Sequence, residues 1–267
     1  MSKIAFIGGG NMAAAIIGGL IADGERPENI MVVDPSEDQR GRLHNELGVT
    51  TLADAGAACK TADTIVLAVK PQVIQAVASR LADGTLKGKL LISIAAGVTI
   101  ATLEKLFGDV AIARTMPNTP ALLGLGATGP YVNEKASETQ KADAIKITEA
   151  FGICVAVDRE DLLDAVTAVS GSGPAYYFLM IEEMIKAGVE LGLAPEDAKA
   201  LTLQTALGAA SMAAKGDVAP EELRRRVTSP NGTTHAAITL MQENGFGDVV
   251  AKAMKACKDR AVELGTT

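Results

Sequence analysis

The sequence has no tryptophan, and aromatic residues make up only 3% of its 267 positions, so few rings are available for stacking nucleobases or sugars. Cysteine is nearly as scarce. Cys59, Cys154 and Cys257 are odd in number and widely spaced, which excludes a disulfide framework and a CxxC metal pattern and leaves three reduced thiols. No metal site is expected. Basic charge is not in excess either: the formal net charge is −7, with 15 basic against 18 acidic residues up to position 160 and 10 against 14 beyond it. Neither half therefore carries the footprint of a nucleic-acid binder, and Arg224, Arg225 and Arg226 read as a solvated helix turn. Long apolar runs are also missing. Met1-Ser2-Lys3 runs straight into a short strand, and the next apolar stretch is interrupted by Gly18, Gly19 and Asp23, so neither a signal peptide nor a membrane span is expected. A cytoplasmic protein follows, with no nucleic-acid or membrane partner.

What is abundant is small: 27 residues are glycine and 45 are alanine, in a chain that is 48% hydrophobic and 21% charged. That is a globular composition, and the length suits one or two domains packed by close backbone approach. Five apolar runs, Ile4 to Gly8, Ile30 to Asp34, Thr64 to Val69, Leu90 to Ala95 and Val110 to Thr115, precede a sixth near Cys154 to Val157. Their continuous apolar character predicts strands covered on both faces, and helix-length spacings predict βαβ crossovers. Residues 1–160 thus read as an α/β domain with a doubly wound, mostly parallel sheet.

Beyond Asp161 the strand signal ends, and residues 161–267 read as all-α. Helices are predicted over Pro174 to Gly192, Pro195 to Gly216, Pro220 to Val227, Thr233 to Gly245 and Asp248 to Gly265, punctuated by Pro at first turns and Gly at ends. The first is apolar nearly all round, with Tyr177, Phe178, Met180, Ile181, Met184, Ile185, Val189 and Leu191. Such a helix needs cover on every side, and about a hundred residues cannot supply it. A second subunit can, so the helical half is expected to be a dimerisation domain.

Gly8-Gly9-Gly10-Asn11-Met12-Ala13 follows the first strand and opens a helix, matching the G-x-G-x-x-A dinucleotide fingerprint. Gly8 serves the tight turn, Gly10 lets the backbone approach a pyrophosphate, Ala13 lets helix pack on strand, and the helix N-terminus offers free N–H groups. Asp34, at the end of the second strand, is placed to accept ribose hydroxyls and favours NAD(H). Ser36, Arg40 and Arg42 lie just beyond it, where a side chain swinging in partly offsets repulsion of the 2′-phosphate of NADP(H). The plainer reading of Asp34 is a helix cap or turn residue. Ala68-Val69-Lys70-Pro71 ends the third predicted strand and delivers Lys70 to the carboxyl edge of the sheet; a surface lysine is equally consistent with the pattern. In Met116-Pro117-Asn118-Thr119-Pro120, two prolines stiffen a loop from which Asn118 can bond a nicotinamide amide, or they simply shape the loop.

Ser229-Pro230-Asn231-Gly232 forms an entry turn to a helix whose first residues, Thr233 and Thr234, expose N–H groups and hydroxyls. This is either a carboxylate cradle without formal charge or an ordinary helix cap. The run Pro220-x-x-Leu223-x-x-x-Val227-Thr228-Ser229-Pro230-Asn231-Gly232-Thr233-Thr234-x-x-Ala237-Ile238 resembles the signature of the pyrroline-5-carboxylate reductase family. Phe6 to Met12, Met116 to Pro120 and Val169-Ser170-Gly171-Ser172-Gly173-Pro174-Ala175-Tyr176 are similar to that family too, so the likeness spans nearly the whole chain. The resemblance implies a Rossmann domain binding NAD(P)H, a helical domain interleaved with its partner in a homodimer or larger assembly, and an active site between the cofactor cleft and the Thr-rich loop. It places Gly8 to Ala13 on the pyrophosphate, Ala68 to Pro71 and Asn118 along the cofactor, and Ser229 and Gly232 to Thr234 on the substrate. The family mostly favours NADPH, from which Asp34 is a departure.

The reaction so implied is hydride transfer from NAD(P)H to the cyclic imine of 1-pyrroline-5-carboxylate, giving L-proline. A protonated imine accepts hydride readily, so no strong acid is required. The inventory agrees, because His44 and His235 are the only histidines and neither has the setting of an acid/base pair. Thr234 is assigned the hydrogen bond to the ring nitrogen, with loop N–H groups fixing the carboxylate. Two other readings are a β-hydroxyacid dehydrogenase, which needs a catalytic lysine where only Lys186 is available, and a dinucleotide-sensing regulator without chemistry.

Overall fold

A computed structural model describes residues 3–81 and 84–266. Met1 and Ser2, at the start of the run read for a leader, lie outside the described residues. Eight strands form one sheet: β1 (Ile4–Ile7), β2 (Ile30–Val33), β3 (Thr50–Leu52), β4 (Thr64–Leu67), β5 (Leu90–Ser93), β6 (Ala111–Met116), β7 (Gly126–Val132) and β8 (Gly152–Cys154). Their order is β3-β2-β1-β4-β5-β6-β7-β8, with every pair parallel except β6 and β7. Strand order reverses beside β1, and that switch point puts a crevice at the carboxyl ends of β1 and β4.

The helices joining these strands are α1 (Asn11–Ala22), α2 (Glu37–Leu47), α3 (Ala55–Thr61), α4 (Ile74–Ala78), α5 (Ile100–Phe107) and α6 (Glu138–Glu149). Because side chains alternate along a strand, β1 sends Ile4 and Phe6 to one face and Ala5 and Ile7 to the other. The first pair joins Ile16, Ile17 and Leu20 of α1 and Ile147 of α6 in one cluster; the second joins Ala58 of α3, Ile74 of α4 and Leu103 of α5 in another. This double burial is why the strands read as unbroken apolar runs.

Chain organisation departs from the predicted pattern in three places. β3 is short and only half-buried, and it carries Thr50 and Thr51, so it leaves no apolar run. β7, GATGPYV, has turn composition yet pairs antiparallel with β6, its Pro130 opposite Thr115. The last strand begins earlier than the predicted Cys154 to Val157, because Gly152 already pairs with Gly126; pairing continues through Val155 and Val157, whose N–H groups donate to the carbonyls of Thr128 and Pro130 at 2.9 Å.

Six helical elements follow: α7 (Leu162–Val166), α8 (Gly173–Glu190), α9 (Pro195–Lys215), α10 (Pro220–Arg226), α11 (Thr233–Glu243) and α12 (Phe246–Thr266). A π-turn over Thr167–Gly171 separates α7 from α8. The chain divides into two compact units, Met1–Pro174 with Cys257–Thr267, and Ala175–Ala256. In the first, Arg114 of β6 anchors the segment leading to α7. Its Nη1 lies 2.9 Å from Glu160, whose Oε1 also accepts the Ile100 N–H that opens α5, and its Nη2 lies 3.9 Å from Asp164. Burial raises the Asp164 carboxyl above its ordinary value, and the Arg114 charge works against that rise.

Candidate functional site

At the carboxyl edge of the sheet lies a cavity of about 320 Å³. One wall is Gly10 to Ala13, where β1 turns into α1; a second is Ala68 to Pro71 beyond β4; the third comes from Ile94, Ala95 and Ala96 after β5 with Met116 and Pro117 after β6. The Gly8 turn holds the first wall. Its φ is +102°, and a Cβ there would collide with the Ala68 carbonyl oxygen, so only glycine lets the two loops close on each other. At Gly10 a Cβ would meet nothing within 4 Å, which leaves the approach to α1 open.

The same turn supplies unpaired donors. Gly10 caps α1 without any side-chain bond, and the Ala14 N–H is the first to reach back to Gly10, so the N–H groups of Asn11, Met12 and Ala13 have no intrahelical acceptor. Together with the helix dipole they form an anion site, worth roughly 0.3–1 kcal/mol per charge at an exposed terminus. Lys70 is exposed at the rim. Met116 and Pro117 open the loop already singled out in the sequence, whereas Ala95 and Ala96 were not singled out; their only signal is position, just beyond β5 at the carboxyl edge.

Asp34, Ser36 and Asn118 lie outside the cavity lining. Asp34 ends β2, where Oδ2 accepts the Gly9 N–H and Oδ1 the Ser36 N–H, both at 2.9 Å. Ser36 is the N-cap of α2, accepting the Gln39 N–H at 3.3 Å. Asn118 is buried, and both ends of its amide are engaged: Oδ1 accepts the Ala127 N–H and Nδ2 donates to the Ser170 carbonyl, each at 3.0 Å. It fastens its loop to β7 and to the π-turn, and one amide hydrogen remains.

In the helical unit, the Ser229 loop has the expected form. Asn231 takes a left-handed conformation with φ of 60°, the Gly232 N–H donates to the Ser229 carbonyl at 3.0 Å, and Gly232 caps α11 without a side-chain bond. Thr233 and Thr234 are exposed in the first turn of that helix. N–H groups and two hydroxyls thus face solvent at a dipole-positive helix end, beside Ser229. His235 is exposed, while the His44 Nδ1 pairs with the Val49 carbonyl at 3.0 Å. Lys186 is tied at the surface by Glu182 at 2.9 Å and Glu183 at 2.8 Å, which raise its pKa. Arg225 and Arg226 are exposed and paired with Glu222, as a solvated turn requires.

Among the described residues no group of three or more His, Cys, Asp or Glu side chains is placed to hold a metal ion, and no helix is long and apolar enough to cross a membrane. All three cysteines are unpaired.

Comparison with known proteins covers both halves of the chain. A family model described as pyrroline-5-carboxylate reductase dimerisation matches residues 160–264, and one described as NADP oxidoreductase, coenzyme F420-dependent, matches residues 3–97. A pyrroline-5-carboxylate reductase of Pseudomonas aeruginosa is 49% identical over 98% of this chain and 96% of its own length. A solved pyrroline-5-carboxylate reductase from Coxiella burnetii superposes with a TM-score of 0.95 at 43% identity, covering 100% of this chain and 99% of that one. A Plasmodium falciparum pyrroline carboxylate reductase, described with NADP bound, gives 0.86 at 32% identity, covering 99% and 98%. Identity at this level covers nearly the whole chain, and the chain, an oxidoreductase, belongs to the pyrroline-5-carboxylate reductase family.

Proposed function

We propose that this protein reduces 1-pyrroline-5-carboxylate to L-proline with NAD(P)H as hydride donor, the last step of proline biosynthesis. The observation that carries the reading is the α11 N-terminus, uncapped by any side chain and bearing the exposed Thr233 and Thr234 hydroxyls. The residues of the sheet unit fit a dinucleotide: three free N–H groups on α1 suit a pyrophosphate, and the cavity at the switch point suits the nucleotide. The bound dinucleotide supplies hydride from its nicotinamide ring. The NADP reported in the Plasmodium relative supports the phosphorylated cofactor as one candidate.

The chain's own residues bind and orient. Gly8 to Ala13 hold the pyrophosphate, and Ala68 to Pro71 flank the nucleotide. Asn118 acts through its remaining amide hydrogen or by fixing its loop. In the helical unit, N–H groups of the Gly232 to Thr234 turn and Ser229 hold the substrate carboxylate, and Thr234 is the catalytic residue, its hydroxyl bonding the ring nitrogen. Because the imine is protonated before hydride arrives, positioning and one hydrogen bond suffice. The exposed apolar helices support a homodimer or larger assembly in which residues 161–267 contribute the interface, and three unpaired thiols support a cytoplasmic setting. The β-hydroxyacid dehydrogenase alternative loses its lysine to the Glu182 and Glu183 pairs.

The test is a spectrophotometric assay with both cofactors. Oxidation of NADH or NADPH on addition of pyrroline-5-carboxylate is expected, with no reduction of NAD⁺ or NADP⁺ by β-hydroxyacids. Turnover of a hydroxyacid, or dinucleotide binding without turnover of either substrate, would replace this reading.

A further inference from the structure

The third wall of the cavity is made of two loops that do little to hold themselves in place. Beyond Ile94 the first runs Ala95-Ala96-Gly97, with no polar side chain, and its own bonds are long: the Ala95 N–H donates to Ser93 Oγ at 3.4 Å and the Val98 N–H to the Ala95 carbonyl at 3.5 Å. Gly97 has a left-handed φ of +76° and is backed by the last turn of α12, where a Cβ on the glycine would lie 3.2 Å from that of Leu264. The second loop opens with Met116 and Pro117 after β6. Both are fixed at points that converge on one carboxylate. Glu160 Oε1 accepts the Ile100 N–H, where the first loop passes into α5, at 2.8 Å, and it lies 2.9 Å from Nη1 of Arg114, just before Met116 on β6.

The segment that starts at Glu160 stays behind the same wall. The Ser170 carbonyl accepts Nδ2 of Asn118 at 3.0 Å, and Gly171 lies so near Met116 that a Cβ would fall 2.7 Å from its methyl. Glu160 is the strongest of these ties, because the Arg114 side chain is 9% exposed and its other carboxylate, Asp164, is 3.9 Å away. Without Glu160 an enclosed guanidinium keeps one distant partner and the Ile100 N–H loses its acceptor. In a doubly wound fold the dinucleotide lies across the switch point, with its pyrophosphate on the glycine turn after β1 and its adenosine toward β2. The side of the crevice formed by the β5 and β6 loops is left to the nicotinamide half.

We propose that Glu160 is a positioning residue for the nicotinamide half of the cofactor, fixing from behind the two loops against which that half packs. The inference rests on the dinucleotide reading above and adds to it a residue that touches neither cofactor nor substrate. Titration calorimetry on the intact protein tests it. The ligands are NADH or NADPH, whichever the wild type binds more tightly, and the matching fragment without nicotinamide, ADP-ribose or its 2′-phosphate. In Glu160→Ala the dinucleotide should bind about 10-fold more weakly, the scale of one lost charge-assisted hydrogen bond, while the fragment stays within about 2-fold of wild type. Glu160→Gln keeps an oxygen that can accept from both donors and should return dinucleotide affinity to within about 2-fold of wild type. Glu160→Asp keeps the charge beside Arg114 but draws the carboxylate back from the Ile100 N–H, so it should weaken the dinucleotide alone by at least about 3-fold, and it decides the matter where Glu160→Ala fails to fold. Equal weakening of dinucleotide and fragment, the signature of a residue that only braces the fold, would overturn the proposal. So would unchanged dinucleotide binding in a folded Glu160→Ala or Glu160→Asp protein. A wild type that binds neither dinucleotide would instead remove the reading on which the inference rests.

Discussion

In the sheet unit, Ile4, Phe6, Ile17, Ile65 and Leu67 are at most 1% exposed, whereas between residues 175 and 256 the only buried apolar side chain is Ala198. The helical unit instead exposes Tyr177, Phe178, Leu191, Leu207 and Met212 at 58–87%. Both regions draw on the same small, aliphatic composition, but only one encloses it. Ordering a residue costs about 1–2 kcal/mol of backbone entropy, and a fully buried Leu or Phe returns about 1.5–3 kcal/mol. Eighty-odd helical residues with no large buried side chain cannot meet that cost alone, so the helical unit is a half-core that a second copy completes. Alanines such as Ala209, Ala210, Ala213 and Ala214, exposed along α9, would then permit close helix approach across the interface.

Charging the apolar surface should break this contrast with the largest effect. Phe178→Glu with Leu207→Glu places carboxylates at sites that face solvent in the single chain but would be buried in an assembly. Sedimentation velocity is expected to show a dimer or larger species for the wild type and a monomer for the variant, with loss of helical circular dichroism and of nearly all turnover. A wild-type monomer at micromolar concentration would refute the half-core.

The closed core of the sheet unit has a smaller, pH-dependent signature. Burial pushes the Cys59 thiol up to about 11, with the Lys89 charge opposing the rise and Asp54 adding to it. Below the ordinary thiol value both states are protonated and stability is unaffected. As pH rises from about 9 to 11, the unfolded thiol ionises while the folded one does not, so up to about 3 kcal/mol of stability is lost. Denaturant unfolding of Cys59→Ala should therefore show a shallower alkaline decline than wild type; identical slopes would mean that Cys59 does not report the core.

How much was legible in the sequence follows the same division. β1, β2, β4, β5 and β6 were readable because helices cover both faces, and α9 and α10 because Pro195 and Pro220 mark their first turns. β7 was not, since its pairing with β6 is tertiary and Gly126, Gly129 and Pro130 locally spell a turn. The π-turn at Thr167–Gly171 was hidden for a similar reason: its neighbour is distant in sequence, a Cβ at Gly171 falling 2.7 Å from the movable Met116 methyl. At the candidate site, the glycine turn and the threonine loop announce themselves because the chemistry proposed for them uses backbone N–H groups that only particular residues expose. Ala95 and Ala96 line the cavity as ordinary aliphatic side chains and carry no such mark. Asn118 is a mixed case: a polar side chain suited to a ligand is also engaged at both ends by the protein itself, with one amide hydrogen left over.

The proposed division of labour, cofactor on the sheet unit and substrate on the threonine loop, is tested most directly by Thr234→Ala. NAD(P)H binding should be unchanged, while turnover of pyrroline-5-carboxylate should fall on the order of 10–10³-fold, the range for one lost transition-state hydrogen bond or proton-transfer group. Full turnover in the variant, or a loss of cofactor binding in parallel with turnover, would contradict it.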